Sequence, residues 1–128
     1  MRLTARKDNK IMNKKLDELS LAFTVAVTKM CDQLIDRKIF ANQIIRSASS
    51  IGANVFEANY AQSNLDFINK MEIALKECYE TQYWLKVLRE INAITQEEFE
   101  EKNNICGKIR RIIIASIKTI KAKIDVGE

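Results

Sequence analysis

The sequence predicts an all-α fold, and three observations carry that expectation. The chain has no proline and only three glycines, Gly52, Gly107 and Gly127, so little interrupts long helices. Apolar residues recur at spacings of three and four over several consecutive turns. Two of these stretches are preceded by residues of helix-capping type, Ser63 and Thr95. With 128 residues, 47 % hydrophobic and 30 % charged, the chain suits one globular domain around one core. We read residues 1–13 as a flexible basic arm without sustained period, 14–124 as a single four-helix-bundle domain, and 125–128 as a short tail.

The first helix is marked by Leu16, Leu19, Phe23, Ala26, Met30 and Leu34 and is expected to end near Asp36. Asp36-Arg37-Lys38 is a polar break too short for anything but an antiparallel neighbour to follow. The second helix, from about Ala41 to Ala58, is the stretch on which the rest is organised. Ile44, Ala48, Ile51, Val55 and Ala58 form one stripe, widened by Ile45, Gly52 and Phe56. Opposite it lie Arg46, Ser50, Ala53 and Glu57, with Asn54 beside them, as a polar ladder. Small residues from Ser47 to Ala53 let a neighbouring backbone approach, so the ladder reads either as a solvated face or as a buried one. In the buried case Arg46 and Glu57 would be mutual or inter-subunit partners, since an unpaired buried charge is costly.

Asn59-Tyr60-Ala61-Gln62 is the second break. Ser63 is the expected N-cap of the third helix, with Asp66 where its carboxylate suits the positive helix end. Strictly, a capping box has Glu or Gln at that position, so this is a variant. Phe67, Met71, Ala74, Cys78, Thr81, Leu85 and Leu88 set the helix's buried face, and Glu72 with Lys76 and Lys86 with Glu90 are spaced for weak surface pairs. Ile91-Asn92-Ala93-Ile94 is the third turn. Thr95-Gln96-Glu97-Glu98 is a full capping box, with Ile94 and Phe99 placed as a hydrophobic staple. The fourth helix follows, with Phe99, Ile105, Ile109, Ile112, Ile113, Ser116, Ile120 and Ile124 towards the core.

The net charge of +4 conceals a segregation. Arg2, Arg6, Lys7, Lys10, Lys14 and Lys15 face Asp8 alone in residues 1–15, and residues 102–124 carry Lys or Arg with no carboxylate. The stretch between is net acidic. Such ends suit a polyanion, or the acidic surface of a neighbouring subunit. On the fourth helix, Arg110, Arg111, Lys118 and Lys121 project within about 100° of arc as a basic ridge, spaced to meet successive phosphates. The alternative is a solubilising face. Ile114 falls inside the same arc, where it would be exposed in a monomer.

Chemistry is sparse. With no histidine, the commonest general base and metal ligand is missing. Cys31, Cys78 and Cys106 are odd in number and widely spaced, which suits buried thiols rather than disulfides or a metal site. Glycine is too scarce for a nucleotide loop, and Glu72, Glu77 and Glu80 lack the Glu-x-x-His unit of a di-iron bundle. We expect no enzyme activity, no cofactor and no metal. No apolar run approaches the roughly 20 residues of a membrane span and no secretory leader is visible, so the expected location is the cytoplasm.

The run Gln43-x-x-Arg46-Ser47-Ala48-x-Ser50-Ile51-x-Ala53-Asn54-x-x-Glu57, then Asp66-Phe67, Ile73-Ala74-Leu75 and Glu80-Thr81, resembles the four-helix-bundle proteins encoded in intervening sequences of bacterial 23S ribosomal RNA genes. The resemblance extends from about Leu16 to Lys121. Asn59 stands where many relatives have Gly, a departure that bears on the turn alone. The resemblance implies an antiparallel up-down-up-down bundle, cytoplasmic in bacteria, assembling as a ring-shaped homopentamer. It also implies kinship with the accessory variability proteins of diversity-generating retroelements, which bind nucleic acid and a reverse transcriptase. The expected function is therefore a non-enzymatic oligomeric bundle binding RNA or DNA through basic surfaces, with a protein-interaction or scaffold ring as the alternative.

Overall fold

Four long helices account for nearly the whole chain. The computed structural model describes the backbone of residues 2–127 and the side chains of residues 14–127. In order they are α1 (Arg2–Cys31), α2 (Lys38–Ala58), α3 (Asn64–Glu90) and α4 (Gln96–Asp125), with one turn of 3-10 helix at Ile35–Arg37. Among the described residues there is no strand. The α1 backbone begins at Arg2 and so runs through the stretch expected as an arm, whose side chains lie outside the described residues.

The helices pack in a closed circuit, α1 on α2, α2 on α3, α3 on α4 and α4 on α1. Contacts between α1 and α2 run in opposite residue order. Thr24 Oγ1 lies 3.2 Å from the Ala48 carbonyl, and Asn59 Nδ2, just beyond α2, donates to Asp17 Oδ2 at 2.6 Å. Between α2 and α3, Ser47 meets Thr81 while Glu57 meets Lys70. Between α3 and α4, Gln82 meets Asn103 and Cys78 meets Cys106.

Each turn has a local cause. The first helix stops at Cys31, about five residues before the expected end, because the chain tightens into three-residue turns. The Leu34 amide donates to the Cys31 carbonyl at 2.9 Å and the Arg37 amide to Leu34 at 3.1 Å. Leu34 is buried all the same, so the apolar period ran past the end of the helix. At the end of α2, Asn59 has φ −65°, ordinary right-handed backbone that needs no glycine. Ser63 caps α3, accepting from the Asp66 amide at 3.0 Å, and the Asp66 carboxylate reaches back to the Gln62 amide at 3.2 Å. After α3, Asn92 adopts φ 59°, a left-handed conformation that Asn tolerates better than most residues. Its neighbours complete a Schellman closure, with the Ala93 amide donating to Leu88 and the Asn92 amide to Arg89. Both halves of the Thr95/Glu98 capping box form.

The core takes one stripe from each helix. Ile44, Ala48, Ile51, Val55 and Ala58 of α2 are all buried, as are Met71, Ala74, Cys78, Thr81, Leu85 and Leu88 of α3. On α1, Val27 and Ser20 are buried where Ala26 and Leu19 are only partly covered; on α4, Ile117 is buried while Ile124 sits at the edge of exposure. A large apolar side chain withdrawn from water this way contributes about 1.5–3 kcal/mol. The three cysteines are free and buried, as expected. Burial, with Asp32 adding to it, pushes the Cys31 thiol up to about 11. Cys78 is raised further by its hydrogen bond with Cys106, and then by burial.

Candidate functional site

The two charged residues of the α2 polar ladder, Arg46 and Glu57, find their partners on α3. Arg46 and Glu57 do not pair with each other. Eleven residues on one helix separate them by roughly 16 Å, well beyond ion-pair reach. Arg46 instead bonds Glu80 and sits 3.5 Å from Glu77, both on α3, while Glu57 pairs with Lys70 at 3.6 Å. Asn54 Nδ2 donates to the Ser50 carbonyl at 2.8 Å and lies 3.2 Å from its hydroxyl. The ladder is not buried: the Arg46 and Glu57 side chains are 50 % and 55 % exposed and Ser50 and Asn54 are partly covered, whereas the Glu77 side chain beneath Arg46 is only 17 % exposed. Burial raises the Glu77 carboxyl above its ordinary value, the Glu80 charge adds to the rise, and the Arg46 guanidinium opposes it. Beneath them, Thr81 Oγ1 and Ser47 Oγ stand 2.8 Å apart in a buried hydroxyl pair.

The α1 side of α2 has a different character. Thr24 nests against the Ala48 backbone, and a Cβ on Gly52 would meet Thr24 Oγ1 at 3.3 Å, so Ala48 and Gly52 serve the α1–α2 contact within the protomer. Beyond it an apolar groove of about 440 Å³ remains open, with Leu21, Ser49, Ala53 and Phe56 among its walls. Phe56, expected to widen the buried stripe, is 59 % exposed, and Leu21 is 66 % exposed. Tyr60 packs on Phe56 with ring centroids 5.5 Å apart.

On α4 the expected ridge divides. Arg111 and Lys118 are exposed and, among the described residues, form no ion pair. Lys121 is drawn to Glu72 of α3 at 3.5 Å, so Glu72 does not pair with Lys76. Arg110 is half-buried, its guanidinium carbon 5.5 Å from the centre of the Tyr79 ring, with Nε unpartnered among the described residues. Ile114 is partly covered rather than exposed. An aromatic residue adjoins the ridge, supplied by α3, which the spacing on α4 alone does not reveal.

No group of His, Cys, Asp or Glu among the described residues is arranged to hold a metal ion, and no described helix is long and apolar enough to cross a membrane. What stands out is surface: an ion-paired edge, an apolar groove and a basic face on an all-α, four-helix protein. The chain belongs to the family of 23S rRNA-intervening sequence proteins, whose model matches residues 8–115. A solved structure similar to it is a protein of unknown function from the S23 ribosomal protein family of Bacteroides thetaiotaomicron VPI-5482. The two are 41 % identical, with a TM-score of 0.79 over 84 % of this chain and 98 % of that one. No curated protein matches the chain.

Proposed function

We propose that this protein is a non-enzymatic, antiparallel up-down-up-down four-helix bundle that assembles as a ring-shaped homo-oligomer, a pentamer by family resemblance, and binds RNA or DNA in the cytoplasm. The observation that carries the binding role is the exposed pair Arg111 and Lys118, unneutralised by any carboxylate among the described residues. Seven residues, roughly 10 Å of helix, separate them, a span suited to phosphates along one strand. Repetition of the pair around an oligomer would add weak contacts through effective concentration. The groove beside Phe56 and Leu21 supports assembly, since exposed apolar side chains around a small-residue trough favour a second copy. The same groove favours the alternative of a scaffold ring without a nucleic-acid role. A reverse transcriptase partner rests on kinship alone.

Gel shift against structured RNA and duplex DNA across a salt series tests the binding role. Charge reversal at Arg111 and Lys118 should weaken binding alike for unrelated sequences and flatten the salt slope by about 2 units or more, with oligomer mass unchanged. A double variant that binds as tightly as the parent at every salt concentration would leave the scaffold reading in possession.

A further inference from the structure

The seam between α3 and α4 carries a cleft of about 270 Å³ lined by Tyr79, Gln82, Tyr83, Lys86 and Asn103. Two tyrosines, Tyr79 and Tyr83, 52 % and 58 % exposed, stand one turn apart on α3. Both are braced. The Tyr83 ring meets the Trp84 indole edge-on at 5.1 Å, and Trp84 is backed by Phe40 at 6.1 Å. The Arg110 guanidinium covers Tyr79, and Gln82 Nε2 donates to Asn103 Oδ1 at 3.1 Å, tying the two helices together at the cleft. Those two amides offer donors and acceptors beside the rings, and Lys86, exposed and without an ion pair among the described residues, adds a cation.

We propose that this cleft takes an unpaired base of a single-stranded nucleic acid, stacked on Tyr83 and flanked by Tyr79, with Lys86 towards its phosphates. The proposal rests on the nucleic-acid role and names its substrate as a single strand. Exposed aromatic faces beside cations and amides are how proteins hold unstacked bases, whereas a duplex hides its base faces and meets a protein with phosphates and groove edges. Arg111 and Lys118 lie on α4 beyond Arg110, so a strand seated in the cleft can continue onto them.

The test uses one RNA of about ten nucleotides, within the range a single stacking surface spans, offered as a single strand and as a duplex. End-label anisotropy gives affinity. The emission of Trp84, the sole tryptophan, reports directly on Tyr83. The parent is expected to prefer the single strand, which alone should change Trp84 emission. Y79L/Y83L should weaken single-strand binding about tenfold and leave duplex binding unchanged, at the stacking contribution usual per base. Y79F/Y83F, which keeps the rings, should bind like the parent. Unchanged single-strand affinity in Y79L/Y83L, or equal loss on both forms, overturns the proposal. Duplex binding that depends on Arg111 and Lys118 without any single-strand preference overturns it while leaving the nucleic-acid role standing, and binding of neither form overturns both.

Discussion

Replacing Arg46 with alanine tests the electrostatics of the α2–α3 edge most directly. The guanidinium bonds Glu80 and lies 3.5 Å from Glu77, so its loss leaves two carboxylates facing each other with no cation between them. An exposed ion pair contributes about 0–1 kcal/mol and a buried one, broken, costs about 3–5. Arg46 is half exposed while the Glu77 side chain is largely covered, which places the cost near 1.5 kcal/mol, towards the exposed end because solvent screens the arginine. At roughly 4 °C per kcal/mol for a chain of this size, Tm should fall by about 6 °C near neutral pH. The pH dependence follows from Glu77. Its carboxyl is already raised above 4.5 by burial and by Glu80, and Arg46 restrains the rise; without Arg46 it goes higher. A carboxyl raised in the folded state favours folding while protonated, and that advantage is lost as pH rises through the folded value. The deficit of Arg46→Ala should therefore be largest at neutral pH and narrow as pH falls towards 4.5. Adding Glu80→Gln should recover much of it. Thermal unfolding monitored by circular dichroism measures both. A deficit that stays constant down to that pH, or that Glu80→Gln leaves untouched, refutes the reasoning. Both partners belong to the same protomer, so oligomer mass should not change.

Two further outcomes follow from the geometry. Thr81→Val deletes the buried hydroxyl that meets Ser47 and the Glu77 carbonyl, and urea unfolding should show a loss of about 1 kcal/mol with an unchanged m-value. Phe56→Asp puts a charge into the groove between α1 and α2 without touching the core; sedimentation should show a shift towards the 14.7 kDa protomer with helicity retained, and unchanged mass would remove the groove from the assembly surface.

The sequence by itself determined the four helices, because helix formation and amphipathic burial are governed by residues three and four apart, which the eye can read along one strand of text. Caps were legible for the same reason: Ser63 with Asp66 and Thr95 with Glu98 act over three residues. The core of α2 and most of α3 followed from the stripe alone. Tertiary structure decided everything that depends on which edge of one helix faces which edge of the next. Arg46 found Glu77 and Glu80, about 30 residues away in the chain; the resemblance pattern holds both Arg46 and Glu80, but nothing in their spacing says that they pair. Glu72 left Lys76 for Lys121. The basic ridge of α4, uniform in its helical projection, lost Lys121 to that pair and Arg110 to the Tyr79 ring, which leaves Arg111 and Lys118 as its free cations among the described residues. The cleft at Tyr79 and Tyr83 was invisible in the text because its amides and rings come from two helices and meet only when α3 and α4 pack. Periodicity fixes which face of a helix is dry; the rotation of its neighbour fixes which polar groups along the border become partners, and that rotation is a property of the whole core.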